Sequence, residues 1–232
     1  MTVLTCFLGL SISLMGLMSA QTLMAGSFPD HWWAFLDESH KPSWEILPHE
    51  AGLGCVVLSK RNELGLLSNF AETPFELDGE RYQSIEGLWQ SLKLPEGPND
   101  PRMEFAEFKA FPVSRLALQK MVGFNAKRFG SKASEIMDKH NIDWVSYRGE
   151  RMPYRAYNKT AAFYKLIRRA MQAKYDQNPA VRKLLAATGH LRLQADHLQS
   201  PFDPPAWHYQ DIWMEIRGAS KAPLVAAFKG KI

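Results

Sequence analysis

Between Thr160 and Tyr175 the apolar residues Phe163, Leu166, Ile167, Ala170 and Met171 recur at three- and four-residue spacing. That pattern predicts an amphipathic helix. Asn178-Pro179 stops it, Pro179 can open a second helix to Ala187, and Gly189 supplies a C-terminal cap. A shorter helix is predicted after Ser84, a natural N-cap, ending near Leu94 before Pro95 and Gly97-Pro98. Its residues Ile85, Leu88 and Leu92 form an apolar stripe with Trp89 at the edge. Glu86, Gln90 and Lys93 fall within about 60° of arc on the other face. The spacing therefore offers an acid, an amide and an amine to a cleft, with Glu86 in the first turn, where the helix dipole favours its ionised form.

Strand patterns are few and short. Cys55 to Leu58 reads as one, and Leu191 and Leu193 alternate with polar residues in another. Phe75 to Leu77 and Arg81-Tyr82 form a hairpin about Asp78-Gly79, because Gly tolerates positive φ and Asp hydrogen-bonds its own backbone. Further helical turns are predicted over Arg102 to Phe108, over Arg115 to Met121 behind Ser114, and from Ser131 or Ser134 to His140. Asp211 to Arg217 is extended or helical. Trp32, Trp33, Phe35 and Trp44, interleaved with prolines, predict an irregular segment clamped onto the domain surface. The expected fold is α+β: a helix-dominated single domain with a small β-sheet beside the Glu86 helix.

Composition adds bounds. The 232 residues are 46% apolar and 22% charged, as in a globular chain with a proper core. The net charge of +4 is spread along the sequence, so charge by itself does not imply nucleic-acid binding. The densest basic stretch, Arg148 to Arg169, suits a phosphate-bearing ligand. Cys6 and Cys55 are too few and too far apart for a disulfide framework or a thiolate metal site, and the histidines are dispersed, so no metal and no cofactor are expected. Residues 1–29 carry no charge. They read as a signal-like leader with cleavage near Ala25-Gly26-Ser27, which would export the protein, or as a start assigned upstream of Met15, Met18 or Met24. The apolar run is too short and interrupted for a stable membrane span.

Several ordered motifs resemble a known family. Leu67-Ser68-Asn69-Phe70, then Pro74 to Gly79, then Tyr82-Gln83-Ser84-Ile85-Glu86 with Gln90 and Lys93, are similar to the opening signature of the NADAR (NAD- and ADP-ribose-associated, YbiA-like) superfamily. The resemblance resumes at Asp143-Trp144, Lys174-Tyr175, Gln177-Asn178-Pro179 and Leu184 to Gly189. It ends at Asp211-Ile212-Trp213-Met214-Glu215, which resembles that family's Asp-x-Trp-Gly-Asp. It covers roughly Gly54 to Arg217, dividing the chain into a leader (1–29), a domain (51–217) and a tail (218–232). The chain departs from the family at Gly87, where a His is expected, at Met214, and in lacking the Gly-x-Gly-x-Asn segment afterwards.

The resemblance implies an N-glycosidase, which breaks its bond through an oxocarbenium-like sugar flanked by acid–base groups. It casts Glu86 as the principal catalytic carboxylate and Glu215 as the second, both at one cleft with Trp213 on its wall. Asn69, Gln90, Lys93, Asp211 and Trp213 become substrate-binding candidates. The implied substrates are ribosylaminopyrimidine phosphates of riboflavin synthesis or ADP-ribosylated guanine in nucleic acid, and the implied location is cytoplasmic. Each residue also has a plainer reading: Glu86 as an exposed helix-start acid, Asn69 as a turn former, Trp213 as a core aromatic, Asp211 and Glu215 as solvated charges. A non-catalytic module binding ADP-ribose or an NAD-type ligand is the alternative function.

Overall fold

In the computed structural model, which describes residues 28–228, the order of elements follows the alternation of short β-branched runs and capped apolar periods. Strand β1 (Cys55–Val57) leads to the hairpin β2 (Phe75–Leu77) and β3 (Glu80–Tyr82). Four helices follow: α1 (Ile85–Ser91), α2 (Ala106–Lys109), α3 (Arg115–Gln119) and α4 (Gly123–Lys139). A second hairpin, β4 (Trp144–Tyr147) and β5 (Glu150–Pro153), precedes α5 (Ala162–Gln177) and α6 (Pro179–Ala187). Strand β6 (Arg192–Gln194) and helix α7 (Tyr209–Phe228) complete the domain. The expected leader up to residue 27, with Cys6, and the end of the expected tail lie outside the described residues. No helix among the described residues is long and apolar enough to cross a membrane.

Helices dominate, and the strand content is distributed over three two-stranded pairs rather than one sheet. β2–β3 turns at Asp78 and Gly79, both at positive φ (52° and 83°), the geometry of a two-residue hairpin. β4–β5 turns likewise at Arg148 and Gly149. β1 and β6 pair in parallel, Cys55 opposite Arg192, and bring the two ends of the domain together.

Helix α1 lies at the centre, packed against α3, α4 and α5. Ser84 caps it: the Gly87 N–H donates to Ser84 Oγ over 2.9 Å. At the other end the fully buried Arg102 guanidinium donates to Leu92 O (2.9 Å). Ile85, Leu88 and Leu92 are buried as the stripe requires.

Helix α4 begins eight residues before Ser131, the earlier of the starts predicted for it. Its buried face is Ala126, Gly130, Ala133 and Met137, at helical spacing but mostly small, so a hydrophobic period is faint there. Arg102 to Phe108 is two turns broken at the extended Phe105, not one helix. Of the aromatic segment near the start, Trp32 is wholly buried and Trp33 packs on the core, while Phe35 stays exposed.

Candidate active site

A cleft of about 600 Å³ opens between α1, α4, the loop at Ser68 to Phe70 and the segment after β6. Glu86 sits in its wall with only 5% of its surface exposed, not on a solvated face. The Gln90 amide, one turn along α1 and fully buried, donates to Glu86 Oε1 over 2.7 Å. The helix-dipole argument for an ionised Glu86 does not hold here. Burial raises its pKa above the usual carboxylate value, and the Gln90 hydrogen bond with the charges of Lys127, Lys93 and Lys60 offsets this only in part.

Lys93 lines the same cleft. Its ammonium donates to Ser134 Oγ (2.8 Å) and Gly130 O (3.3 Å) and lies 4.7 Å from the centre of the Trp89 ring. Burial, and then the neighbouring Lys127 charge, pull its pKa down to about 7, so near neutral pH it both holds and releases a proton. Asn69 also lines the cleft; its backbone carbonyl accepts the Glu86 N–H (2.9 Å), and its side-chain Oδ1 is buried without a partner. The loop carrying it is pinned from behind by Lys174, a fully buried amine that donates to Ser68 O over 2.8 Å.

The remaining walls are aromatic and basic. Trp89, Phe163 and Tyr154 pack together with Arg155 close by, and Phe70, Phe124 and Trp44 form the opposite rim with Lys60 and Lys127. Such walls suit a flat ring and a phosphate. Of the basic stretch expected to meet phosphate, only Arg155 reaches the cleft: Arg148 and Arg169 bind Asp78, and Lys159 and Arg168 bind Glu215.

Glu215 and Trp213 are not in this cleft. Glu215 lies on the outer face of α7, where Lys159, Arg168 and the Tyr164 hydroxyl hold it. Burial alone would raise its pKa, but these partners lower it on balance. Trp213 is completely buried and donates to Leu67 O (2.6 Å), which makes it the core aromatic of the plainer reading. The reason is helical geometry: consecutive residues of a helix diverge by about 100°, so positions 211, 213 and 215 cannot all face one site. Asp211 opens instead onto a separate shallow pocket of about 310 Å³ beside Tyr157 and Phe202.

Besides Glu86 the cleft is lined by Asp203 and by Asp196, a buried carboxylate that the sequence motifs did not mark. It is 2% exposed, forms an ion pair with Lys60, and lies 3.0 Å from His197 Nδ1 through its Oδ1. Burial would raise its pKa, but the His197 hydrogen bond and the Lys60 charge outweigh that and hold it below the ordinary carboxylate value. Two of the three carboxyl groups lining the cleft are thus pushed in opposite directions, Glu86 toward the acid and Asp196 toward the anion. Lys60 stands between them in effect, paired with Asp196 and lowering Glu86 by its charge. No group of three or more His, Cys, Asp or Glu among the described residues is placed to hold a metal ion.

The fold is similar to the NMR structure of the E. coli protein YbiA. The two share 18% sequence identity with a TM-score of 0.45, over 74% of this chain and 87% of that one. No family model matches the chain, and no curated protein matches it in sequence.

Proposed function

We propose that the protein is an N-glycosidase for a ribosylated nucleobase, with Glu86 as the acid that protonates the departing base. The observation that carries this reading is the burial of Glu86 in a cleft walled by aromatic rings and rimmed by lysines. A carboxyl group whose pKa is raised by burial holds its proton more firmly than an exposed one and can give it to a ring nitrogen as the glycosidic bond lengthens. The cationic rim from Lys60, Lys93, Lys127 and Arg155 suits the phosphates of a nucleotide-type substrate, and Trp89 with Phe163 suits its base. Asn69 Oδ1, buried and unpaired, is an acceptor for a ribose hydroxyl.

Ribosylaminopyrimidine phosphates and ADP-ribosylated guanine both carry a base, a ribose and phosphate, and both fit this chemistry. The test incubates the protein with each and follows release of free base. Glu86→Gln keeps the shape and the acceptor for Gln90 but has no proton to give, so turnover falls by roughly 10²–10⁴. Wild-type turnover by that variant overturns the assignment. Tight binding of ADP-ribose without base release from either substrate makes the protein a binding module instead.

A further inference from the structure

We infer that His197, oriented by Asp196, is the base that takes the proton from the attacking water, opposite in role to Glu86. The inference rests on the glycosidase reading and adds the residue that acts on the other reactant.

The geometry fixes which ring nitrogen carries the hydrogen. Nδ1 of His197 lies 3.0 Å from Asp196 Oδ1, and an ionised carboxylate only accepts, so Nδ1 is the protonated nitrogen. The other side of the ring agrees. Gln199 Nε2 lies 3.4 Å from His197 Nε2. The orientation of that amide is set independently: its nitrogen donates to Trp207 O (3.0 Å), and its oxygen accepts from Gln210 Nε2 (2.7 Å). The group facing His197 Nε2 is therefore a donor, and Nε2 carries the lone pair. The ring plane is held against Tyr209, with centroids 6.1 Å apart and planes 11° from parallel. His197 lines the cleft with 38% of its side chain exposed, so water reaches it, while Asp196 behind it is buried.

The step balances as follows. Water displaces the long 3.4 Å contact of the Gln199 amide from His197 Nε2, its oxygen bonds to the anomeric carbon of the ribose, and one of its protons passes to the freed lone pair of that nitrogen. The bond from that carbon to the base nitrogen breaks, its electron pair stays with the base, and Glu86 supplies the proton that neutralises it. Asp196 stabilises the resulting imidazolium, and both side chains are reset by exchange with solvent. Asp196 touches neither reactant in this scheme and is a positioning residue, its second oxygen kept occupied by Lys60.

The test has two readouts on the full chain. Nitrogen-15 spectra of histidine-labelled protein report the tautomer whatever the activity, and a His197 protonated at Nε2 overturns the inference. Steady-state kinetics on whichever substrate the wild type cleaves compare His197→Ala and His197→Gln, with thermal melts confirming folding. The expected result is a kcat lower by roughly 10²–10³ with KM changed little, and partial recovery of His197→Ala by added imidazole. Turnover within a few-fold of wild type, or a loss that imidazole does not restore in the folded variant, overturns the role of His197 and leaves Glu86 standing. An inactive wild type overturns the glycosidase reading itself, and the water-activating role with it.

Discussion

A methyl group on Gly130 would lie 1.7 Å from Gln90 Oε1, so α4 approaches α1 as closely as a bare backbone permits. Gln90 is the residue that holds Glu86, and Gly130 O also receives the Lys93 ammonium. Gly130→Ala forces the buried Gln90 amide aside. Overpacking of this kind costs about 1–3 kcal/mol. The expected outcome is a lower urea midpoint together with weakened base release, because the displaced Gln90 no longer orients Glu86. A variant that melts like wild type and keeps its turnover would mean that Gln90 repacks freely.

Gly87 has a different neighbour. Its added carbon would meet Met121 O at 2.5 Å, a backbone atom that cannot rotate away. The family resemblance puts a His at this position, and here the chain between α3 and α4 occupies that space. Gly87→Ala is expected to destabilise the fold by about 1–3 kcal/mol despite the better helix propensity of alanine. Chemical denaturation measures it directly. A stabilised Gly87→Ala protein would show that the 119–122 segment is free to shift.

The sign of the Glu86 contribution to stability follows from its environment. Burial raises its pKa in the folded state above that of the unfolded chain. Stability from the neutral carboxyl is fully present below the ordinary glutamate value of about 4.3 and is lost as pH rises through the folded value. Gln has no such loss. Melting temperatures of Glu86→Gln and wild type should therefore converge in acid and separate above about pH 5, with the variant higher. A constant difference across that range would place the carboxyl in a hydrated setting.

Lys174 gives the opposite slope. Burial alone pulls its pKa down to about 7, so between about pH 7 and about pH 10 the unfolded chain binds the extra proton and stability rises with pH. Lys93, also near 7, contributes a rise of the same sign. Lys174→Met should therefore reduce the rise without abolishing it. The variant also removes the Lys174 hydrogen bond to Ser68 O, which keeps the Ala71 N–H (3.3 Å), an expected cost of about 0.5–1.5 kcal/mol. Denaturation midpoints across this pH range carry both signals, and an unchanged slope would argue that Lys174 is hydrated in the folded protein.

The α1 helix was legible because its signals are local: a serine cap, an apolar stripe at the right period and a terminating proline. Those signals identified Glu86 and Lys93 as cleft residues, but not how far the cleft would be covered. The dryness of Glu86 comes with the packing of α3, α4 and α5 on α1, which no local pattern ties to it. Trp213 and Glu215 resemble site residues in one dimension, yet their helix turns one inward to the core and the other outward to Lys159. Asp196 and His197 escaped notice because an adjacent Asp-His in an irregular stretch has no period. Their one available signal is placement: they follow the short strand at Leu193, as Lys60 follows Cys55 to Leu58. Loops leaving the carboxyl ends of parallel strands are where ligand groups gather in α/β folds.

That parallel pair, three residues on each strand, joins chain positions more than a hundred residues apart. Non-local pairings of this kind form late, after the entropy of a long loop has been overcome. A growing polypeptide therefore carries the Ser84 to Ser91 stretch, with its glutamate hydrated, well before Asp196 and His197 have been made. The surrounding water leaves when α3, α4 and α5 pack on α1. The raised pKa of this carboxyl is thus created by the packing of the chain rather than inherited from the residue, and a fragment ending before Gly123 would carry the motif without it.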